Sequence, residues 1–285
     1  MTRAGLVALL AILHAMACVT LAHAALPAFL LASHLAAKLL AAAGAGAAFA
    51  ALPRRGGPRR FWGALSAAYL LLALAELPAA GAFPASRGVA GVLLAASLLL
   101  AANVVGVVAS ALLAFELRAP AARGVGMVGR LSLYLLAGAA VGAAIGPGLL
   151  AELRRALDGG GETAWASAMS YVCDAVTFVL LVPVVRRAVA HGTRAAAAPL
   201  WAFTASGVCW LLFSALETLR SPSGATSLVP AEGLRMAGTL LAGLAGLYQL
   251  GVSTGSARAA VGEGARGPGQ PGQAEDGVAA GSREG

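Results

Sequence analysis

The sequence predicts an all-α protein: a polytopic bundle of about eight transmembrane helices with both termini cytoplasmic. Three observations carry that reading. Of 285 residues, 59% are hydrophobic and 11% are charged, whereas a soluble domain has about 45–50% and about 25%. The apolar residues gather into eight runs, at 4–22, 27–51, 61–80, 88–115, 128–150, 164–190, 200–219 and 234–252. Each is near the roughly 20 residues that cross about 30 Å of hydrocarbon. Between them lie short clusters of Pro, Gly and Arg, as in Pro53–Arg60. Long alternating segments, the mark of a membrane β-barrel, are missing from the sequence.

The first run has two readings. Arg3, the apolar stretch and Ala22-His23-Ala24 resemble a cleaved signal peptide. The run exceeds the usual 7–15-residue core of such peptides, and His14 interrupts it, which favours a retained helix. The second run carries Lys38, with His34 one turn earlier on the same face. The third opens at Trp62 and reaches Glu76, just before Pro78. The fourth holds Asn103 and closes with Glu116 and Arg118.

The fifth run spaces Gly138, Gly142 and Gly146 four residues apart. Such a ridge lets a neighbouring backbone approach, and it predicts a helix contact. The sixth contains Asp174 beside Tyr171, Cys173 and Thr177, and Pro183 predicts a kink in it. The seventh opens at Trp201 and reaches Glu217, with Arg220 three residues on. The eighth has a weaker small-residue stripe, Gly238, Ala242 and Gly246. The arginine–tryptophan–glutamate order of runs two and three returns in runs six and seven. A parallel repeat would produce it, and so would interfacial residues alone. Residues 253–285 lose the apolar pattern and read as a disordered cytoplasmic tail, leaving 1–252 as the membrane bundle.

The net charge of +8 could indicate a polyanionic partner. Its placement points elsewhere. With the N-terminus inside, Arg3, Arg54, Arg55, Arg59, Arg60, Arg118, Arg123, Arg130, Arg186, Arg187, Arg194, Arg258, Arg266 and Arg283 fall on the cytoplasmic side. Arg87, Arg154, Arg155, Arg220 and Arg235 fall on the other. That is the positive-inside pattern, so the partner expected is the lipid bilayer and not nucleic acid. The Ala, Gly, Arg and Leu bias suggests a GC-rich bacterial genome, and hence a bacterial inner membrane. Cys18, Cys173 and Cys209 all lie in apolar runs and form no CxxC pair.

Function is sought in the ionisable groups inside the runs. Each costs about 2.5–3.5 kcal/mol on insertion scales, and each tends to face the bundle interior and find a partner. Lys38 is the only lysine in the chain and lies near mid-bilayer. Asp174 and Glu76 are the acids able to pair with it, and Asp174 is favoured as the deeper. His34 and Tyr171 complete the candidate group. His14 and His34 do not supply the ligand number of a haem or metal centre, so no cofactor is expected. No GxSxG, HExxH, Walker or GxGxxG motif marks an enzyme. The sequence therefore favours a small-ligand or environmental sensing membrane domain that relies on a separate membrane or cytoplasmic signalling partner. A small-solute or proton-coupled transporter is the alternative, followed by a haem-binding or other membrane enzyme subunit and a purely structural subunit.

Overall fold

Every long apolar run that the structure describes is a helix. The computed structural model describes residues 27–54, 56–79, 88–117, 127–191, 197–220 and 229–265. The run at 4–22, with its signal-peptide alternative, lies outside them. The helices are α1 (Pro27–Ala51), α2 (Gly57–Ala79), α3 (Val89–Glu116), α4 (Met127–Leu157), α5 (Gly161–Leu180), α6 (Val182–His191), α7 (Ala198–Arg220) and α8 (Val229–Ala265). Among the described residues there are no strands. Helices α5 and α6 share one apolar stretch, so seven spans are long and apolar enough to cross a membrane. The chain is a multi-pass helical membrane protein.

The spans close into a ring. Contacts run α1–α2–α3–α5–α4–α7–α8 and return from α8 to α1. Position in the ring decides burial. Of the α8 apolar window 56% is buried, against 11% for α3. The outward faces of α3 and α4 present Val92, Leu94, Val104, Leu131, Leu135 and Leu136. Exposed aliphatic surface of this kind is stable in lipid, where the helices satisfy their own backbone groups.

The closest approach joins α1 to α8. A Cβ at Gly44 or Gly246 would collide with the backbone of the other helix, and one at Gly243 would stand 2.8 Å from the Ala41 Cα. Ala41, Ala45, Ala242 and Ala245 are fully buried around the contact. Dispersion between backbones replaces the hydrophobic drive that lipid cannot supply. The expected ridge behaves differently. At Gly138, Gly142 and Gly146 no heavy atom of a neighbour lies within 4 Å of an added Cβ, and Gly138 and Gly142 are exposed. The predicted contact is therefore absent within the described chain. Helix α4 instead turns Val141, Ile145 and Gly148 inward, and Gly148 makes room for Tyr171 and Thr218.

Pro183 interrupts its span where the sequence predicts a kink. Helix α5 stops at Leu180 and α6 resumes at Val182. Leu181 donates its N–H to both Thr177 and Phe178 carbonyls at 3.1 Å. Lacking an N–H, Pro183 leaves the carbonyl of Val179 without its helical donor. Pro78 does not end α2, which continues through it to Ala79. The last helix also overruns its expected end at 252, continuing to Ala265. Ser253 and Thr254 donate back to the carbonyls of Gln249 and Leu250, which keeps their hydroxyls satisfied along the helix. The remaining tail lies outside the described residues. The two matched tryptophans end differently: Trp62 is buried among Phe61 and Phe203, while Trp201 is 42% exposed. The packing does not repeat with the motif.

Candidate functional site

The ring holds a partly open cavity of about 540 Å³, within the range of small-molecule sites. Helices α1, α2, α3, α5, α7 and α8 line it, and α4 does not. Phe203 reaches into it, and Phe61 packs edge-on against Phe203 with ring centroids 5.3 Å apart. Trp62 stacks beside Phe61 at 4.7 Å. This aromatic group backs the cavity near the first turns of α2, where Arg59 and Arg60 lie. The two polar walls that remain are different in kind.

The first wall is a chain of charges across α1, α2 and α8. His34 Nε2 lies 3.1 Å from Glu232 Oε2, and Arg235 Nε lies 3.1 Å from the same oxygen. Arg235 Nη2 stands 4.0 Å from Glu76 Oε1, which pairs directly with Lys38 Nζ. Lys38 also reaches the carbonyl of Leu72 at 3.4 Å. His34 and Lys38 are 4% and 5% exposed. Their i, i+4 spacing sets both on the α1 face that meets α2 and α8. Two carboxylates, Glu76 and Glu232, thus face two permanent cations, Lys38 and Arg235.

The pairing corrects one expectation. Lys38 takes Glu76, not Asp174. Depth along a helix was the sequence criterion, but depth says nothing of direction around the ring. Helix α1 neighbours α2 and α8, whereas Asp174 stands on α5 across the cavity. Glu232 and Arg235 were not anticipated as members of the site. Arg235 reads as an interfacial charge at the start of the eighth run, and it lies in the first turns of α8. The signal available was the Glu232–Arg235 spacing of three, which places both on one helical face.

The second wall is formed by α3 and α5. Asn103 Nδ2 donates to Ser170 Oγ at 2.7 Å, tying the two helices together. Ser167, Ser170, Tyr171, Asp174 and Thr177 all line the cavity. Tyr171 backs onto Gly148, where an added Cβ would stand 3.0 Å from its hydroxyl. Among the described residues no cation comes within ion-pair distance of Asp174. Between the walls stand Tyr69, Phe178, Trp210 and Phe213. The Tyr69 hydroxyl shares hydrogen bonds with Ser206 and Trp210, and Ser206 donates onward to the carbonyl of Gly238 at 2.7 Å. That relay fixes the aromatic side of the cavity to α8.

The structure therefore gathers Lys38, Glu76, Tyr171 and Asp174 around one cavity, with His34 behind the charged wall. The packing candidates Gly138, Gly142 and Gly146 lie apart from it. His14 and Cys18 fall outside the described residues. Among the described residues no group of three His, Cys, Asp or Glu side chains is placed to hold a metal ion. No family model, curated protein or solved structure matches this chain.

Proposed function

We propose that the chain is a membrane-embedded small-ligand-binding domain of sensory type, acting through a separate signalling partner. One observation carries the reading: a cavity of about 540 Å³ within the ring, with polar side chains from all six of its lining helices. Polar groups are expensive in the bilayer, and those that face a cavity mark a binding site or pathway. The arginine-rich loops and the composition support a bacterial inner membrane.

A specific feature favours transport as the second reading. The interruption at Leu181 lies in a span that lines the cavity through Thr177, Phe178 and Leu181. Discontinuous helices at substrate sites are a transporter feature.

The test is native mass spectrometry of the protein drawn from its membranes into lipid nanodiscs. The reading expects a retained small molecule that disappears in both Ala96→Phe and Ser167→Phe, two half-buried lining positions. A chain that carries no small molecule, or keeps it in both filled variants, overturns the reading. Uptake of that molecule into proteoliposomes would replace sensing by transport.

A further inference from the structure

We propose that the ligand of this cavity is a small organic ammonium with an apolar body, and that Asp174 is its counter-ion. The inference rests on the ligand-binding reading above and names the chemistry of that site. It starts from the imbalance between the two walls. Lys38 and Arg235 each face a carboxylate, through Glu76 and Glu232. Neither needs an anion from outside. Asp174 lines the same cavity and meets no cation among the described residues. In such surroundings a carboxyl stays protonated unless a positive charge stands against it to hold it ionised. The chain places its cations on the opposite wall and engages them there. A ligand ammonium supplies what is missing.

The rest of the lining fits that ligand. Its donors would meet Asp174 and the Ser170 hydroxyl on α5. Tyr69, Phe178, Phe203 and Trp210 offer aromatic surface on which an apolar body packs and a cation is held by ring quadrupoles, while the Phe213 ring already carries the Arg235 guanidinium. A carboxylate-bearing ligand would be repelled by Asp174, and could reach Lys38 only by displacing Glu76. The Asn103–Ser170 hydrogen bond holds the acidic wall in place from α3.

The experiment is equilibrium binding in lipid nanodiscs with three probes that share one body: phenethylamine, phenethyl alcohol and hydrocinnamate. Empty nanodiscs give the background of lipid partitioning. Saturable binding of phenethylamine at least tenfold tighter than the other two is expected. Asp174→Asn should weaken it tenfold or more, and Asp174→Glu should restore part of the loss. Unchanged circular dichroism and elution of Asp174→Asn would show that the fold is intact. Equal binding of amine and alcohol overturns the proposal, as does an affinity unaffected by Asp174→Asn. Preference for hydrocinnamate overturns it in favour of the Lys38–Arg235 wall, with the ligand-binding reading intact. If no probe binds while native mass spectrometry still shows a retained molecule, the amine falls and the cavity stands. If both fail, both fall.

Discussion

Two regions of this ring have similar sequences and opposite structures. Helices α1 and α8 meet through Gly44, Gly243 and Gly246 so closely that no side chain fits between them. Helix α4 carries Gly138, Gly142 and Gly146 at regular spacing, and all three are open. The α1–α8 contact lies one to three turns along from the charged chain of His34, Lys38, Glu76, Glu232 and Arg235. Those charges must be matched in the bilayer, so they fix which helices meet and in what register. The glycines then allow the approach. On α4 the membrane portion holds no acidic or basic side chain between Arg130 and Glu152, and nothing selects the glycine face over the face bearing Val141 and Ile145. A small-residue stripe permits a contact; a polar pair decides it.

The largest way to break the comparison is to uncouple that pair. Lys38→Met leaves the half-buried Glu76 with only the longer Arg235 contact, and Glu76→Gln leaves the buried Lys38 without its acid. Each is expected to destabilise by about 3–5 kcal/mol, the range for stranding one member of a buried pair. The double variant Lys38→Met, Glu76→Leu should recover most of the loss, since Arg235 retains Glu232 at 3.1 Å. Thermal unfolding in nanodiscs would measure all three. Single variants within about 0.5 kcal/mol of the parent would mean that the pair does not organise the contact.

The next effect falls on the contact itself. Gly243→Ala adds one methyl group where the Ala41 Cα stands 2.8 Å away. Backbone atoms cannot rotate aside, so α1 and α8 must separate along their length. A loss of about 1–3 kcal/mol is expected, as for overpacked cores. Crosslinking yield between cysteines placed at Leu40 and Leu247 should fall with it. Unchanged stability would show the helices less closely joined than the backbone distances require.

How much of this was legible beforehand follows from the same contrast. The seven described spans were readable because apolar length is a property of consecutive residues. Pro183 was readable because a missing N–H acts on its own turn. Lys38 and Asp174 stood out by their insertion cost. Their separation onto opposite walls was not readable, since it depends on which helices are neighbours in the ring. Arg235 was concealed for a related reason: at a span end, an arginine that serves the interface and one that turns inward have the same sequence context. The cavity had no linear signal at all, because its lining comes from residues as far apart as Lys38 and Arg235.

A third variant separates the two walls without touching the glycines. Asp174→Asn removes a charge that has no cation opposite it among the described residues, so nothing is stranded by its loss. Stability should rise or stay within about 1 kcal/mol of the parent, in contrast to Glu76→Gln. A loss as large as that of Glu76→Gln would mean that Asp174 has a structural partner after all, and the two walls would cease to differ in kind.

The smallest effect is the most direct comparison of the stripes. Gly142→Ala is the same one-methyl change as Gly243→Ala, made in the other ridge. No neighbour stands within 4 Å of the new Cβ, so the packing term vanishes. What remains is the intrinsic preference of a helix interior for Ala over Gly, about 0.5–1 kcal/mol in water. The sign should therefore reverse: Gly142→Ala stabilises slightly where Gly243→Ala destabilises. Matched unfolding curves of the two variants measure that reversal. Were Gly142→Ala to destabilise like its counterpart, the α4 ridge would have to be covered by a surface beyond the described residues, and the open stripe would join the packed one as a true helix contact.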